Sequence, residues 1–143
     1  MNVDAFLADA VQASGGKLHA LGIGWSVLRV SGFPARHDRI GIGVTVRSAA
    51  AEAGPHTLTI SLLDPAGAPR PLGTEGSLRA GFATPAGDGT ATLALNLDGL
   101  TFETGGEHTF VLTVDEDATT RLSFHVQAAS EAPTSEIRTV GYL

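Results

Sequence analysis

The sequence predicts an all-β protein: a single antiparallel β-sandwich, immunoglobulin-like in the broad sense, with about eight or nine strands and a short C-terminal tail. Five segments predict it, because apolar residues alternate there with small or polar ones, as in half-buried strands. Clusters of Gly, Pro and Asp separate these segments at intervals typical of sandwiches. A polar outer face favours antiparallel pairing, since parallel strands are usually buried on both faces. A closed barrel is the alternative architecture.

The first part of the chain is expected to form two strands joined by a tight turn. Residues 3–13 hold apolar residues at both parities, which favours a strand buried on both faces, and a Ser-Gly-Gly turn follows at residues 14–16. The second strand is expected over residues 17–28. Within it Gly22 and Gly24 share one face, which is typical of close approach by another backbone or ring. The opposite face is expected to enter the core and holds Leu21, Ile23, Trp25 and Val27.

The five alternating segments follow, and we predict one half-buried strand at each. They are residues 40–46, 58–62, 93–97, 110–114 and 122–126. Between the first and second of them, the Ala-rich residues 47–53 are expected to form a loop or at most one helical turn.

The last two of these strands are expected to form a hairpin around the loop 115–119. The register that places all four large apolar side chains on one face pairs Phe110 with Phe124 and Leu112 with Leu122. In this register His108 has core parity and His125 has solvent parity. The two histidines therefore cannot share a metal ion, although they lie on neighbouring strands.

Length and composition limit the classes of protein. The chain has 143 residues, and we expect one domain over residues 1–127 with a polar tail over 128–143. The formal net charge of −6 excludes charge-driven binding of nucleic acid or of an anionic membrane. The chain has no cysteine, which excludes disulfides and thiolate chemistry. Because no basic leader and no membrane-spanning apolar run is visible, we predict a cytoplasmic location.

Several short motifs stand apart from the strand pattern. They are Asp9-Ala10, the Gly-Lys-Leu-His-Ala-Leu-Gly-Ile-Gly-Trp-Ser run at 16–26, Pro34, Pro55-His56-Thr57, the Leu-Asp-Pro-Ala-Gly run at 63–67, Phe102, Gly106-Glu107-His108 and Phe110-Val111-Leu112. Together, over residues 3–127, they resemble a mainly actinobacterial family of small β-sandwich domains with no assigned function. The resemblance therefore implies no catalytic residue. That family has a Gly-x-Tyr-x-Phe-like step where this chain has His108, so we expect no tyrosine-corner hydrogen bond there.

The candidate site residues fall into two groups. Arginines concentrate in one quarter of an acidic chain, and with a neighbouring aromatic residue they form the predicted binding group: Arg29, Phe33, Arg36 and Arg39. Acids in one turn form the predicted metal group, with calcium as the ion: Asp115, Glu116 and Asp117. No catalytic residue is predicted, because the chain has no HExxH, Gly-x-Ser-x-Gly or phosphate-loop motif.

The sequence favours a non-catalytic interaction or assembly module that acts through a sheet face or an edge strand, with a protein partner or a second copy. It predicts no cofactor, no nucleic acid and no membrane partner. A small-ligand or carbohydrate-binding domain is the alternative, and a metal-dependent enzyme is a third. Convergence of His19, His37 or His56 with Asp9 or Asp38 would favour the enzyme. A deep apolar pocket would favour the ligand binder. A flat apolar face or an uncovered edge strand would favour the assembly module.

Overall fold

A computed structural model describes residues 1–73 and 76–129 of the chain. These residues form eleven strands and one turn of 3₁₀ helix at Ala50–Glu52. The strands are β1 Asn2–Ala8, β2 Ala10–Ser14, β3 Lys17–Leu21, β4 Val27–Val30, β5 Ala35–Arg47, β6 Gly54–Leu63, β7 Pro69–Arg70, β8 Leu78–Thr84, β9 Thr90–Phe102, β10 Gly106–Val114 and β11 Ala118–Ala128. Within the described ranges, no helix is long and apolar enough to cross a membrane. Most of the predicted tail, from residue 130 onward, lies outside the described residues.

The strands form two sheets and one separate hairpin. The first sheet has the order β1–β5–β9, and the second has the order β4–β11–β10–β6, with β7 and β8 both along the far edge of β6. Strands β2 and β3 pair only with each other. The all-β prediction is confirmed. The prediction of a purely antiparallel, immunoglobulin-like sandwich needs correction, because β4 runs parallel to β11 and the second sheet curls into a half-barrel.

All five segments of alternating residues are strands, and their apolar parity faces the space between the two sheets. The first sheet contributes Ile40, Ile42, Val44 and Val46, each 0% exposed. The second sheet faces them with Leu58, Ile60, Leu62, Phe110, Leu112 and Phe124. This burial is the main stabilising contribution, because each fully buried aliphatic or aromatic side chain is worth about 1.5–3 kcal/mol. The expected short turn within residues 47–53 is the 3₁₀ turn.

The hairpin of β10 and β11 keeps the predicted faces but not the predicted register. Phe110 lies opposite Leu122, so the pairing is shifted by two residues from the expected one. The reason is a tighter turn than the sequence suggested. Asp115 and Glu116 have φ angles of 52° and 65°, and Asp117 N–H donates to Val114 O at 2.9 Å. This is a type I′ turn. The sequence did not predict it, because such turns usually contain Asn-Gly or Asp-Gly and this one contains Asp-Glu.

The N-terminal predictions need two corrections. Residues 3–13 are not one strand, because the chain breaks at Asp9 and β2 leaves the first sheet. The strand expected over 17–28 ends at Leu21, because Gly22 and Gly24 adopt φ angles of 70° and 95°. These two glycines therefore share no strand face. Leu21 and Ile23 were predicted in the core and are exposed, whereas Trp25 packs on Phe124 with ring centroids 5.7 Å apart.

The hairpin of β2 and β3 lies on the outer face of the first sheet, over Gly41 of β5, and Gly43 of the same strand is covered by a ring of β1. A Cβ at Gly41 would lie 3.0 Å from Ala10 Cα, and a Cβ at Gly43 would overlap the ring of Phe6. Close approach by a backbone and by a ring was expected at Gly22 and Gly24. Close approach by a backbone is found at Gly41, which makes room for the hairpin, and close approach by a ring is found at Gly43, which makes room for Phe6 of β1. At Gly22 the group that comes close is the Asp9 carboxylate.

One side chain fixes the hairpin in this position. The amide of Asn96 on β9 accepts from Val11 N–H at 3.0 Å and donates to Val11 O at 2.9 Å. It therefore binds β2 as a neighbouring strand would, with two hydrogen bonds each worth about 0.5–1.5 kcal/mol. Val11 itself is only 6% exposed, so its backbone groups have little access to water as a substitute.

Gly41→Ala should lower the free energy of unfolding by about 1–3 kcal/mol, because the added methyl group pushes against the Ala10 backbone. Urea unfolding measures the change. Gly81→Ala is the matched control, since Gly81 also lies in a strand and a Cβ there meets nothing within 4 Å. Equal stabilities for the two variants would contradict the seating of the hairpin on Gly41.

Candidate interaction surface

Strand β3 has one edge that no described residue pairs with. On its other edge, Ala20 lies opposite Val11 of β2. The N–H and C=O of Val11 point away from β3, since both bind Asn96. In an antiparallel pair, directly opposite residues of this kind both turn these groups away from the partner strand. Ala20 therefore directs its N–H and C=O outward, and Leu18, two residues earlier, does the same.

Two large apolar side chains are exposed at the end of β3 and just beyond it. Leu21 is 73% exposed and Ile23 is 61% exposed. A groove of about 320 Å³ lies beside Leu21 and is also lined by Gln12, His19 and Arg39. Unpaired backbone groups next to exposed apolar side chains are typical of a surface that another chain covers. We call Leu18, Ala20, Leu21 and Ile23 the β3 edge surface.

Two of the predicted binding residues, Arg36 and Arg39, already have acidic partners, and Arg39 also lines the groove. Arg39 forms a bidentate ion pair with Asp98, with Nε–Oδ1 at 2.6 Å and Nη2–Oδ2 at 3.1 Å. Arg36 Nη1 donates to Asp38 Oδ1 at 3.0 Å. The hydrogen bonds from Arg39 lower the pKa of Asp98, and the same bonds raise the pKa of Arg39. The structure therefore brings Arg36 and Arg39 together, but beside acids that offset their charge.

The other two predicted binding residues lie elsewhere. Arg29 is exposed on β4, at the edge of the second sheet, and forms no ion pair within the described part of the chain. Phe33 is 38% exposed in the connection from β4 to β5, and a Cβ at Gly105 would lie 3.2 Å from its Cζ. The predicted binding group is thus not one patch, and its role in binding stays a prediction.

His56 is the best-anchored polar side chain on the second sheet. Its Nδ1 lies 2.5 Å from Asp115 Oδ2, and its Nε2 lies 2.7 Å from the carbonyl oxygen of Glu52. A carboxylate and a carbonyl only accept hydrogen bonds, so both ring nitrogens carry a proton and the ring is an imidazolium. The hydrogen bond to Asp115 raises the pKa of His56, and the same bond lowers the pKa of Asp115. The contacts tie the 3₁₀ turn and the β10–β11 turn to β6.

This arrangement bears on the predicted metal group. The carboxylate of Asp115 is occupied, because its Oδ1 also accepts from Thr57 N–H at 2.8 Å. Among the described residues, no group of three or more His, Asp or Glu side chains is arranged to hold a metal ion. Calcium binding by Asp115, Glu116 and Asp117 therefore stays a prediction that this geometry does not favour.

The convergence that would favour an enzyme is not found in the described part of the chain. No hydrogen bond joins His19, His37 or His56 to Asp9 or Asp38 there; the histidine–carboxylate contact is that of His56 with Asp115. Because both nitrogens of His56 already carry protons and have acceptors, this pair holds the fold together and is not free to accept a proton from a substrate.

Sequence reasoning missed the residues that matter most to the β3 edge surface. Leu21 and Ile23 share the parity of Trp25, so all three were assigned to the core. The signal that separates them is the pair of glycines at 22 and 24, which end the strand. Asn96 carries no local signal at all, because its role depends on a hairpin 85 residues away.

The described residues define an all-β domain of two packed sheets that carries an outer hairpin. The chain belongs to DUF6941, a family of unknown function whose model matches residues 3–127. The resemblance to a family without an assigned function is thus confirmed. No curated protein matches the chain.

Two solved structures share the fold at low sequence identity. A β-glucosidase from Listeria innocua in complex with isofagomine is 11% identical, with a TM-score of 0.51 over 88% of this chain. The alkylpurine DNA glycosylase AlkC from Pseudomonas fluorescens, bound to DNA with an abasic-site analogue, is 11% identical, with a TM-score of 0.51 over 87% of this chain. The chain spans 16% and 30% of those longer proteins, so the likeness concerns the fold alone.

Removing the His56 ring should change how stability depends on pH. The pKa of His56 is raised above 6.5, so its stabilisation is complete below pH 6.5 and is lost as pH rises through the folded-state pKa. The pKa of Asp115 is lowered from 3.8, so its stabilisation is lost only in stronger acid. His56→Gln should therefore destabilise the protein more at about pH 5 than at about pH 9.

Urea unfolding of both proteins at the two pH values measures this difference. His125→Gln is the matched control, because His125 is exposed on the outer face of β11. If the loss in His56→Gln is the same at both pH values, the ring is not held as an imidazolium.

Proposed function

We propose that the protein is a non-catalytic assembly module in which strand β3 pairs with β3 of a second copy. The proposal is carried by the edge of β3 that no described residue pairs with, together with the exposed Leu21 and Ile23 at the end of that strand. Two such edges that meet antiparallel would join two hairpins into one four-stranded sheet.

The edge is complementary to itself. Antiparallel pairing about His19 places Leu18 of one copy opposite Ala20 of the other, and these are the residues whose backbone groups point outward. Lys17 then lies opposite Leu21, where its aliphatic stem packs on the leucine and its ammonium reaches water. In this register no lysine lies opposite a lysine, and no Asp or Glu lies opposite another acid.

Charge also favours a second copy at this place. The chain has a formal charge of −6, so most contacts between two copies are repulsive. Between Ala10 and Gly24, however, the hairpin has no acidic residue and one basic residue, Lys17. The hairpin is therefore a part of the surface where two copies meet without opposing acidic side chains of the hairpin itself.

The carbohydrate-binding alternative has less support. Sugar-binding sites usually place aromatic rings in a concave face, whereas Trp25, the only tryptophan, is half-buried against Phe124 and the exposed Phe33 lies outside the groove. The groove beside β3 is lined by Ala10, Val11, Gln12, His19, Ala20, Leu21 and Arg39, with no aromatic carbocycle among them.

Native mass spectrometry across a concentration series tests the proposal, and a dimer of twice 14.6 kDa is expected. Ala20→Pro should abolish that dimer, because it removes an outward N–H from the free edge while leaving the pairing of β2 with β3 intact. Circular dichroism and urea unfolding verify that the variant stays folded. A monomer at every concentration, or a dimer that survives in folded Ala20→Pro, would refute assembly through this edge.

The double variant Leu21→Ser/Ile23→Ser should weaken the dimer by removing its apolar contact. Burial of two aliphatic side chains predicts a loss of about 2–4 kcal/mol in association, measured by sedimentation equilibrium. Phe33→Ser is the matched control, because Phe33 is an exposed apolar residue away from β3. A larger effect of Phe33→Ser would move the interface to the connection between β4 and β5.

A further inference from the structure

A small polar pocket lies at one end of the second sheet, away from the β3 edge surface. Its volume is about 100 Å³. It is lined by Leu62, Asp64, Arg70, Thr101, Phe102, Glu103, Thr104 and His108. The turn after β6, the short strand β7 and the connection from β9 to β10 supply its walls.

His108 is the buried group of this pocket, at 2% exposure. Its ring lies between Phe102, edge-on with centroids 5.0 Å apart, and Phe124, stacked at 5.8 Å. Its Nδ1 lies 3.1 Å from the carbonyl oxygen of Gly106, which only accepts, so Nδ1 carries a proton and donates it. Within the described residues, Nε2 has no partner.

The protonation of His108 follows from its burial. Burial lowers the pKa of the ring, against smaller opposing effects of the Gly106 carbonyl and Asp64. Arg70 and His125 lower it further. The ring is therefore neutral near pH 7, and Nε2 presents a lone pair. Nε2 is accessible from the pocket, so a donor group of a bound molecule can take the place of water at this acceptor.

The walls of the pocket carry charges of both signs. Asp64 uses Oδ1 to accept from the N–H groups of Ala66 and Ala68, both at 2.9 Å, which leaves Oδ2 without a bonded partner. The side chains of Glu103 and Arg70 form no ion pair and no hydrogen bond with any described residue. Two carboxylates disfavour a simple anion, and the guanidinium disfavours a simple cation. Since the described histidines and acids form no metal-holding group, a metal ion is disfavoured too.

We propose that this pocket binds the zwitterionic head group of a free α-amino acid. The ammonium group donates to His108 Nε2 and to the carboxylates of Asp64 and Glu103, and Arg70 holds the carboxylate group through its two-pronged guanidinium. A volume of about 100 Å³ equals that of about three water molecules, so it takes the head group and leaves the amino-acid side chain outside. This site is independent of the β3 edge, and its failure leaves the assembly proposal unaffected.

Titration of the ¹⁵N-labelled full chain with glycine tests the proposal through the Nε2 resonance of the His108 ring. Glycine should shift that resonance in a saturable way. Methylammonium and acetate, which each carry one half of the head group, should bind at least about tenfold more weakly. Glycinamide, which mimics the N-terminus of a peptide, should also bind more weakly, because it lacks the carboxylate that Arg70 holds.

Two variants assign the contacts. Arg70→Gln should weaken glycine binding about tenfold and remove the preference for glycine over methylammonium. Glu103→Gln should weaken it about threefold, and Glu107→Gln is the matched control, since Glu107 is exposed and lies outside the pocket. An Nε2 resonance that glycine does not move would show that water satisfies His108. That result, or an equal response to acetate or to glycinamide, would overturn the proposal.

Discussion

The seating of the β2–β3 hairpin on β5 is the constraint on which the rest of the surface depends. Gly41 has no side chain between the sheet and the Ala10 backbone, and Gly43 leaves the same space for the Phe6 ring. Asn96 then completes the outer edge of β2 with two hydrogen bonds. Because Asn96 binds Val11 of β2, whereas Leu18 and Ala20 of β3 have no such partner among the described residues, most of the free hydrogen-bonding capacity of this layer lies on β3. The exposed Leu21 and Ile23 lie where that capacity is.

Two histidines, His56 and His108, differ in whether their ring nitrogens are used within the fold or remain available to a ligand. His56 has an acceptor at each ring nitrogen, and its charge joins two turns to β6, so its chemistry is used within the fold. His108 is the opposite case: it is buried and neutral, and Nε2 has no partner within the described residues. Both histidines have perturbed pKa values, yet only the second has hydrogen-bonding capacity left for a ligand. The hydrogen-bond partners of each ring nitrogen therefore distinguish the roles of the two histidines better than the direction of their pKa shifts does.

Alternation of apolar residues was sufficient to predict the all-β class, the five central strands and the core parity of His108. The reason is that burial of one face of a strand imposes this alternation within the strand itself. The register of β10 on β11 was missed by two residues, since a two-residue shift preserves every face and only the turn geometry decides it. The exposure of Leu21 was missed because its parity was matched to that of Trp25, although the strand ends at the glycines between these two residues. The parallel pairing of β4 with β11 and the clamp of Asn96 on Val11 join residues far apart in sequence, so local patterns hold no trace of them.

The central claim is that the outward backbone groups of Leu18 and Ala20 are covered by a second copy of the same strand. Amide hydrogen exchange at these two residues, followed as a function of protein concentration, tests it most directly, since a hydrogen-bonded amide exchanges slowly and a solvated one quickly. The account predicts that protection at Leu18 and Ala20 rises with concentration, while the amides already paired with β2 keep their protection. Fast exchange at Leu18 and Ala20 at every concentration, in a protein that still associates, would contradict it.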